Sequence, residues 1–232
     1  SKLQFANHLV AGLEWDILSN LSVNSELYYK DFSQLIIVNR NKLVGSDPNF
    51  STEIGEAYGF DIGIDYYLEG VDLKANYTLA YVNRNDGDQI YPPVFDRRHN
   101  VNILGSYNYG NEQNWSLSLR WNLGTGFPFT RTQGFYNYNS FQEGLSTHYL
   151  QSNPDFIGIL YEEDRNAGRL PAYHRLDGSI SRIITLNRRL NMAIDLSVSN
   201  IYNRDNIFYF DRQTYERVNQ LPILLSMGVK LN

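Results

Sequence analysis

In the stretch NWSLSLRWNLGTG, residues 114–126, an apolar side chain stands at every second position. Trp115, Leu117, Leu119, Trp121 and Leu123 share one side of an extended chain, while Ser116, Ser118, Arg120 and Asn122 share the other. A period of two is the mark of a β-strand with one apolar and one polar face. The alternation returns in 8–17 (Leu9, Leu13, Trp15), 20–32 (Val23, Leu27, Tyr29), 59–68 (Phe60, Ile62, Ile64) and 72–83 (Leu73, Tyr77, Leu79). It continues in 100–110 (Val101, Ile103, Tyr107), 189–200 (Met192, Ile194, Leu196) and 223–232 (Leu225, Met227, Val229). Residues 173–186 form a weaker case, because Arg182 interrupts the apolar side. The pattern predicts nine strands.

The polar faces carry Asp, Asn, Lys, Glu, Ser and Gly on nearly every strand, so they meet water. The open question is what the apolar faces meet. A soluble sandwich buries them against a second sheet, whereas a membrane barrel turns them to lipid. Two features favour the barrel. Short polar links near Ser19–Asn20, Glu69–Gly70, Gly110–Asn111 and Asn187–Arg188 alternate with long ones near Arg40–Thr52, Arg84–Phe95, Thr125–Leu170 and Ile201–Leu221. An up-and-down barrel sorts its connections in this way, with tight periplasmic turns and long external loops. Aromatic residues make up 14% of the chain, and several fall near the ends of the apolar faces: Trp15, Tyr66, Tyr81, Tyr107, Tyr109, Trp115 and Trp121. Such positions suit interfacial girdles.

Composition narrows the alternatives. A net charge of −5 argues against a nucleic-acid partner. No apolar run approaches the length of a transmembrane helix. Without cysteine there is no disulfide and no thiol chemistry. The opening SKLQFANHL lacks the apolar core and small-residue cleavage site of a secretory signal. Nine strands do not close a single-chain bacterial barrel, whose strand number is even. The fold class read from the chain is all-β, an antiparallel up-and-down transmembrane β-barrel, with residues 1–232 forming part of a larger one.

Four segments occur in order: YPPVFDRRHNVNILGSY, WSLSLRWNLGTGFPFT, GRLPAYHRLDGSIS and LSVSNIYNRDNIFYF. Together they resemble the C-terminal half of the barrel in TonB-dependent outer-membrane receptors, particularly those of Bacteroidota. The resemblance implies a barrel of about 22 strands, of which this chain supplies about the last nine C-terminal ones. It implies that an N-terminal plug and further strands lie outside these residues, and that TonB is engaged through that N-terminal region. It also implies an integral location in the bacterial outer membrane, in contact with its lipid. A surface lipoprotein or other outer-membrane subunits are further possible partners. Family members usually finish on an aromatic residue, and the alternation places residue 233 on the lipid face where one would fall.

Two segments invite a chemical reading. FDRRHN (95–100) and YHRLD (173–177) each pack His, Arg and Asp together at the start of a strand. Continuing the strand parity turns Asp96, Arg98, Arg175 and Asp177 inward as lumenal ion-pair candidates, and His99 and His174 outward. An acid–base pair in the barrel mouth is the competing reading, but no nucleophile elbow or paired-histidine metal spacing accompanies it. No catalytic residue, cofactor or metal is assigned, and the chain does not read as an enzyme. NDGDQ (85–89) lacks the rest of a calcium loop and reads as a solvated turn.

The 46 residues from Thr125 to Leu170 form a connection far longer than the usual limit of about 15. Phe127, Phe129, Phe135, Tyr136, Tyr138 and Phe141 give it an aromatic content that a disordered linker lacks. With Glu162, Glu163 and Arg165 they form a candidate ligand-binding loop, and a lid or a partner-packing surface is the alternative reading. The leading functional reading is the barrel portion of an active importer of a scarce nutrient: a siderophore, glycan, peptide or similar solute. A small complete outer-membrane barrel acting as channel, adhesin or scaffold is the runner-up. An outer-membrane enzyme and a soluble carbohydrate-binding sandwich follow.

Overall fold

The computed structural model describes residues 3–40, 42, 45–137, 157–187 and 190–231. Nine long strands form one antiparallel meander: β1 (Phe5–Leu18), β2 (Leu21–Val38), β3 (Phe50–Leu68), β4 (Val71–Asn85), β5 (His99–Tyr109), β6 (Trp115–Gly124), β7 (Tyr173–Asn187), β8 (Leu190–Ser199) and β9 (Leu224–Leu231). Each pairs with its neighbours in chain order, and β1 and β9 are the two edges of the sheet. The nine strands expected from the alternation are the nine long strands of the described residues, and shorter strands lie in the links.

Register makes the two faces continuous. Leu18, Leu21, Tyr66, Leu73, Gly105, Leu119, Gly178, Val198 and Leu225 are successive cross-strand partners, so one row with no charged or amide side chain crosses all nine strands. On the opposite face a row of hydroxyls crosses five strands: Ser106, Ser118, Ser179, Ser197 and Ser226. An amide-rich row, Asn24, Gly63, Asn76, Asn102 and Asn122, crosses β2 to β6, two of which it shares with the hydroxyl row, before reaching Arg175. A slip of one residue anywhere would send a polar row into the apolar face, which is why the register is so strongly specified.

Among the described residues nothing covers the apolar face. Even on interior strands Ile64, Leu73, Ile103, Leu119 and Leu196 are 40–48% exposed, and among the described hydrophobic residues only Ala57 and Tyr91 are buried. A soluble sheet would bury such a surface under a second layer. A single layer with one continuous apolar face and one polar face is instead the wall of a transmembrane barrel.

Aromatic contacts mark both ends of that face. Tyr58 stacks on Tyr81 with centroids 5.4 Å apart, near the long connections. Near the short turns Tyr107, Tyr109 and Trp115 form a continuous stack, and the Arg182 guanidinium lies 4.8 Å from the Trp115 ring. The break that Arg182 makes in the apolar pattern therefore falls beside the girdle. An arginine stem lies along apolar surface there while its head reaches the interface. Beyond the apolar band β2 and β3 continue as a paired ribbon to Val38 and Phe50, past an irregularity between Phe32 and Leu35.

Candidate functional site

The long links all lie at one end of the sheet, and short strands organise them. The segment between β6 and β7 rises as a hairpin. At its base Pro128–Phe129 pairs with Gly168–Arg169, and the Leu170 N–H donates to the Phe127 carbonyl at 3.0 Å. Higher up Thr132–Asn137 pairs with Ile157–Tyr161. Gly126 permits the stem: a Cβ there would sit 1.6 Å from the Leu170 carbonyl oxygen. At Gly158 a Cβ would meet the Tyr136 ring at 2.3 Å, so the ring lies flat across its register partner.

Three residues of the descending arm, Arg165, Asn166 and Arg169, fasten this hairpin to the neighbouring loop. Arg165 Nη1 lies 2.6 Å from Asp86 Oδ2 and 3.6 Å from Glu53 Oε1, and its backbone N–H donates to Gln89 Oε1 at 2.9 Å. Tyr91 donates its hydroxyl to Glu53 at 2.5 Å, and Arg84 approaches the other Glu53 oxygen at 3.7 Å. Two carboxylates thus face two guanidinium groups in a largely desolvated cluster. One residue further on, Asn166 donates to the Pro92 carbonyl at 2.8 Å while its backbone N–H donates to Thr130 Oγ1 at 3.1 Å. Arg169 then closes on the Asp96 carboxylate and also donates to the Gly126 carbonyl.

The electrostatics follow from this packing. Burial pushes the Tyr91 phenol above its ordinary pKa, and its hydrogen bond to Glu53 adds to the rise, partly offset by Arg165. At Asp86 burial acts upward, but it is outweighed by the backbone N–H groups of Gln89 and Asp88 and by the charge of Arg165. The net result is a carboxyl below its usual range.

The last external link forms a second hairpin, Ile207–Phe210 with Arg217–Asn219. Its foot is tied by the three asparagines of NIYNRDN. Asn200, fully buried, donates to the Arg204 and Leu221 carbonyls and accepts from the Arg204 N–H. Asn203 accepts from the Ile223 N–H at 2.9 Å. Asn206 accepts from the His174 N–H at 3.1 Å and donates to the His174 carbonyl at 2.9 Å, so its amide stands in for a strand neighbour. Asn200 and Asn203 both have positive φ (55° and 50°), which asparagine tolerates better than most residues. The two hairpins touch: Phe129 lies 6.5 Å from Phe210, Phe135 meets Tyr215 edge-on at 6.0 Å, and Arg212 donates to Thr130 and lies over Tyr161.

Phe127, Phe129, Phe135 and Tyr136 therefore sit on the stem and the upper hairpin, while Tyr138 and Phe141 lie outside the described residues. Glu162 pairs with Arg131 at 2.7 Å, and Glu163 is exposed. Arg165 commits its guanidinium to the inter-loop cluster. Asp96 and Arg98 approach at 3.8 Å, and Arg175 and Asp177 at 2.8 Å. Arg98 departs from the expected inward parity, because its guanidinium lies over Tyr81 on the apolar side. Residues 92–97 lie off the ladder, Arg98 keeps one backbone bond to Ala80 at the bend before β5, and alternation does not run through a bend. His99 and His174, expected outward, each meet a tyrosine hydroxyl: Tyr77 at 2.9 Å and Tyr202 at 2.7 Å. The sequence reading missed Glu53, Asn166 and Arg169 as anchors. Asp86 of the NDGDQ turn takes two backbone N–H groups and Arg165. Among the described residues no group of three His, Cys, Asp or Glu side chains suits a metal ion.

Neither a protein-family model nor a curated protein matches the sequence. Solved structures match it over nearly its full length. The ferric-catecholate import receptor Fiu from E. coli K12 is 14% identical with a TM-score of 0.62, and the ferric citrate transporter FecA in its unliganded form is 16% identical with a TM-score of 0.62. The outer membrane transporter YddB from Escherichia coli is 11% identical with a TM-score of 0.60. The chain has the fold of an outer-membrane transporter barrel. Each match covers 98% of this chain but only 27%, 31% and 32% of the three neighbours, so the chain spans a third or less of their length.

Proposed function

We propose that this chain is the C-terminal wall of a TonB-dependent importer in the bacterial outer membrane, and that its external hairpins belong to the solute-capture surface. The observation that carries the reading is the register: a continuous apolar row across nine strands, backed by two overlapping polar rows that together run from β2 to β9. The resemblance of the four ordered segments and the transporter fold support it. Unpaired edges at β1 and β9 would leave backbone groups unsatisfied in hydrocarbon, so the functional barrel needs further strands to close. In that barrel the polar rows line the lumen, the cluster around Arg165 steadies the outer mouth, and the hairpins stand above it. The protein acts by moving a solute rather than by altering it.

The test is growth. A strain encoding the full receptor should grow on its limiting nutrient only when the receptor and TonB are both intact. Equal growth without TonB would reject active import and favour a passive channel, adhesin or scaffold.

A further inference from the structure

The run FDRRHN holds two adjacent arginines with different fates. Arg98 pairs with Asp96, whereas Arg97 has no acid beside it among the described residues. The Arg97 side chain crosses β6 at Gly124, where a Cβ would lie 2.6–2.7 Å from its Cδ, Nε and Cζ atoms. Any larger residue would close that slot. The guanidinium then lies 4.4 Å from the Phe127 ring centre and 5.7 Å from that of Tyr173. Gly124 is the register partner of both Asn100 and Tyr173, on the polar face, so the slot opens inward at the outer end of β5–β7.

A guanidinium carries five N–H donors in one plane. Aromatic rings stabilise its charge through their faces but accept none of those in-plane bonds. Arg97 Nε is buried with no partner among the described residues. Burial also lowers the pKa of Arg97, because desolvation disfavours its charged form, and Tyr173 acts in the opposite direction. Among the described residues Arg84, Arg98, Arg165 and Arg169 each face a carboxylate, whereas Arg212 and Arg204 donate to backbone carbonyls, and Arg204 Nε is likewise buried without a partner.

We propose that Arg97 is the contact for an oxyanion, a carboxylate or a group of like geometry, received at the outer mouth of the lumen. The glycine slot fixes the arginine stem, the two rings hold its plane, and the free edge of the fork is left to bind the anion in a bidentate manner. Placement in a lumen rests on the importer reading above. The anion has two sources: an entering solute, or a carboxylate from a part of the protein outside the described residues.

The experiment uses the full-length receptor purified in detergent. Calorimetric titration compares benzene-1,3,5-tricarboxylate with its neutral triamide. For a solute source, the tricarboxylate binds the wild type at least tenfold more tightly than the triamide. Arg97→Gln then abolishes that preference, and Arg97→Lys restores only part of it. Gly124→Ala, which displaces the side chain without removing its charge, should weaken the anion comparably. For an internal source, the wild type ignores the probe, and Arg97→Gln raises hydrogen exchange in a second segment that carries an Asp or Glu, with β6 and β7 unchanged. Equal probe binding by wild type and Arg97→Gln would overturn the proposal, as would no selective binding together with unchanged exchange. Because binding is read without uptake, a receptor that imports normally yet shows neither effect would sink this inference alone.

Discussion

Arg165 and Asp86, 79 positions apart in the chain, meet at 2.6 Å with both side chains largely shielded from water. That pair joins the descending arm of the long hairpin to the turn after β4. Glu53 extends the link to β3, so three external elements move as one. Removing one member of a buried pair is costly because the other is left uncompensated, up to about 3–5 kcal/mol. Arg165→Leu should release the arm while leaving the nine strands paired. Hydrogen exchange should rise in 157–170 and in 86–91 and stay unchanged in β5–β8. Unaltered exchange at both loop segments would show that the pair contributes nothing to the clamp.

The same pair sets a pH response. The Asp86 carboxyl lies below its ordinary range in the folded protein. A depressed carboxyl stabilises the fold above the unfolded aspartate pKa of about 3.9, and that contribution is lost as pH falls through the lower folded value. Loop protection should therefore be constant from neutral pH down to about 4 and fall below it. Asp86→Asn should show a flatter acid limb. An identical acid limb in the variant would assign the loss to another group.

Face assignment makes a sharper test. Leu119 lies in the apolar row and Ser118 in the hydroxyl row of the same strand. In a bilayer Leu119→Arg should cost about 2–4 kcal/mol if the site is near the midplane. Ser118→Arg, facing water, should cost far less. Reversible unfolding of the full receptor in lipid measures both, and equal costs would contradict the orientation.

The contrast between these two residues also explains what could be read without a structure. A wall one layer thick exposes every other side chain to a different solvent, so composition alternates with the geometry and the nine strands are legible. Legibility ends where both faces become wet. The extensions of β2 to Val38 and β3 to Phe50 carry no such contrast, and neither does the bend that turns Arg98 over Tyr81. The anchors Glu53, Asn166 and Asn206 bond through their side chains to partners 31 to 112 positions distant, which no local pattern encodes. Aromatic enrichment drew attention to Phe127–Tyr136 as a candidate binding loop, but could not show that part of this set builds a stem.

Glycine substitutions separate the stem from the arms. Gly126→Ala places a methyl group against the Leu170 carbonyl, whereas Gly134→Ala meets nothing within 4 Å. The first should disrupt the Phe127–Leu170 pairing at a cost of at least about 1–3 kcal/mol, typical of overpacking. The second should be close to neutral. Protease cleavage within 157–170 should accelerate for Gly126→Ala alone. Equal cleavage of both variants would mean that the stem is not closed as described.

The upper hairpin can be removed without touching the clamp. Glu162 donates its N–H to the Arg131 carbonyl at 3.0 Å, and their side chains pair at 2.7 Å, so the two arms are already side by side at that level. Replacing residues 132–161 with a short Gly/Ser turn keeps Arg165, Asn166 and Arg169 in place and discards Phe135 and Tyr136. Arg212 loses Thr132 and Tyr161 but keeps its bond to the Thr130 carbonyl, and Tyr215 loses Phe135. Barrel assembly should persist, because loop length carries little thermodynamic cost and the strands are held by their neighbours. If the hairpin captures solute, growth on the limiting nutrient should fall while the amount of receptor at the cell surface stays constant. Normal growth at normal surface level would leave the hairpin as a lid or a surface for another protein. Loss of the receptor from the surface would instead make the hairpin structural, contrary to the division drawn between clamp and arms.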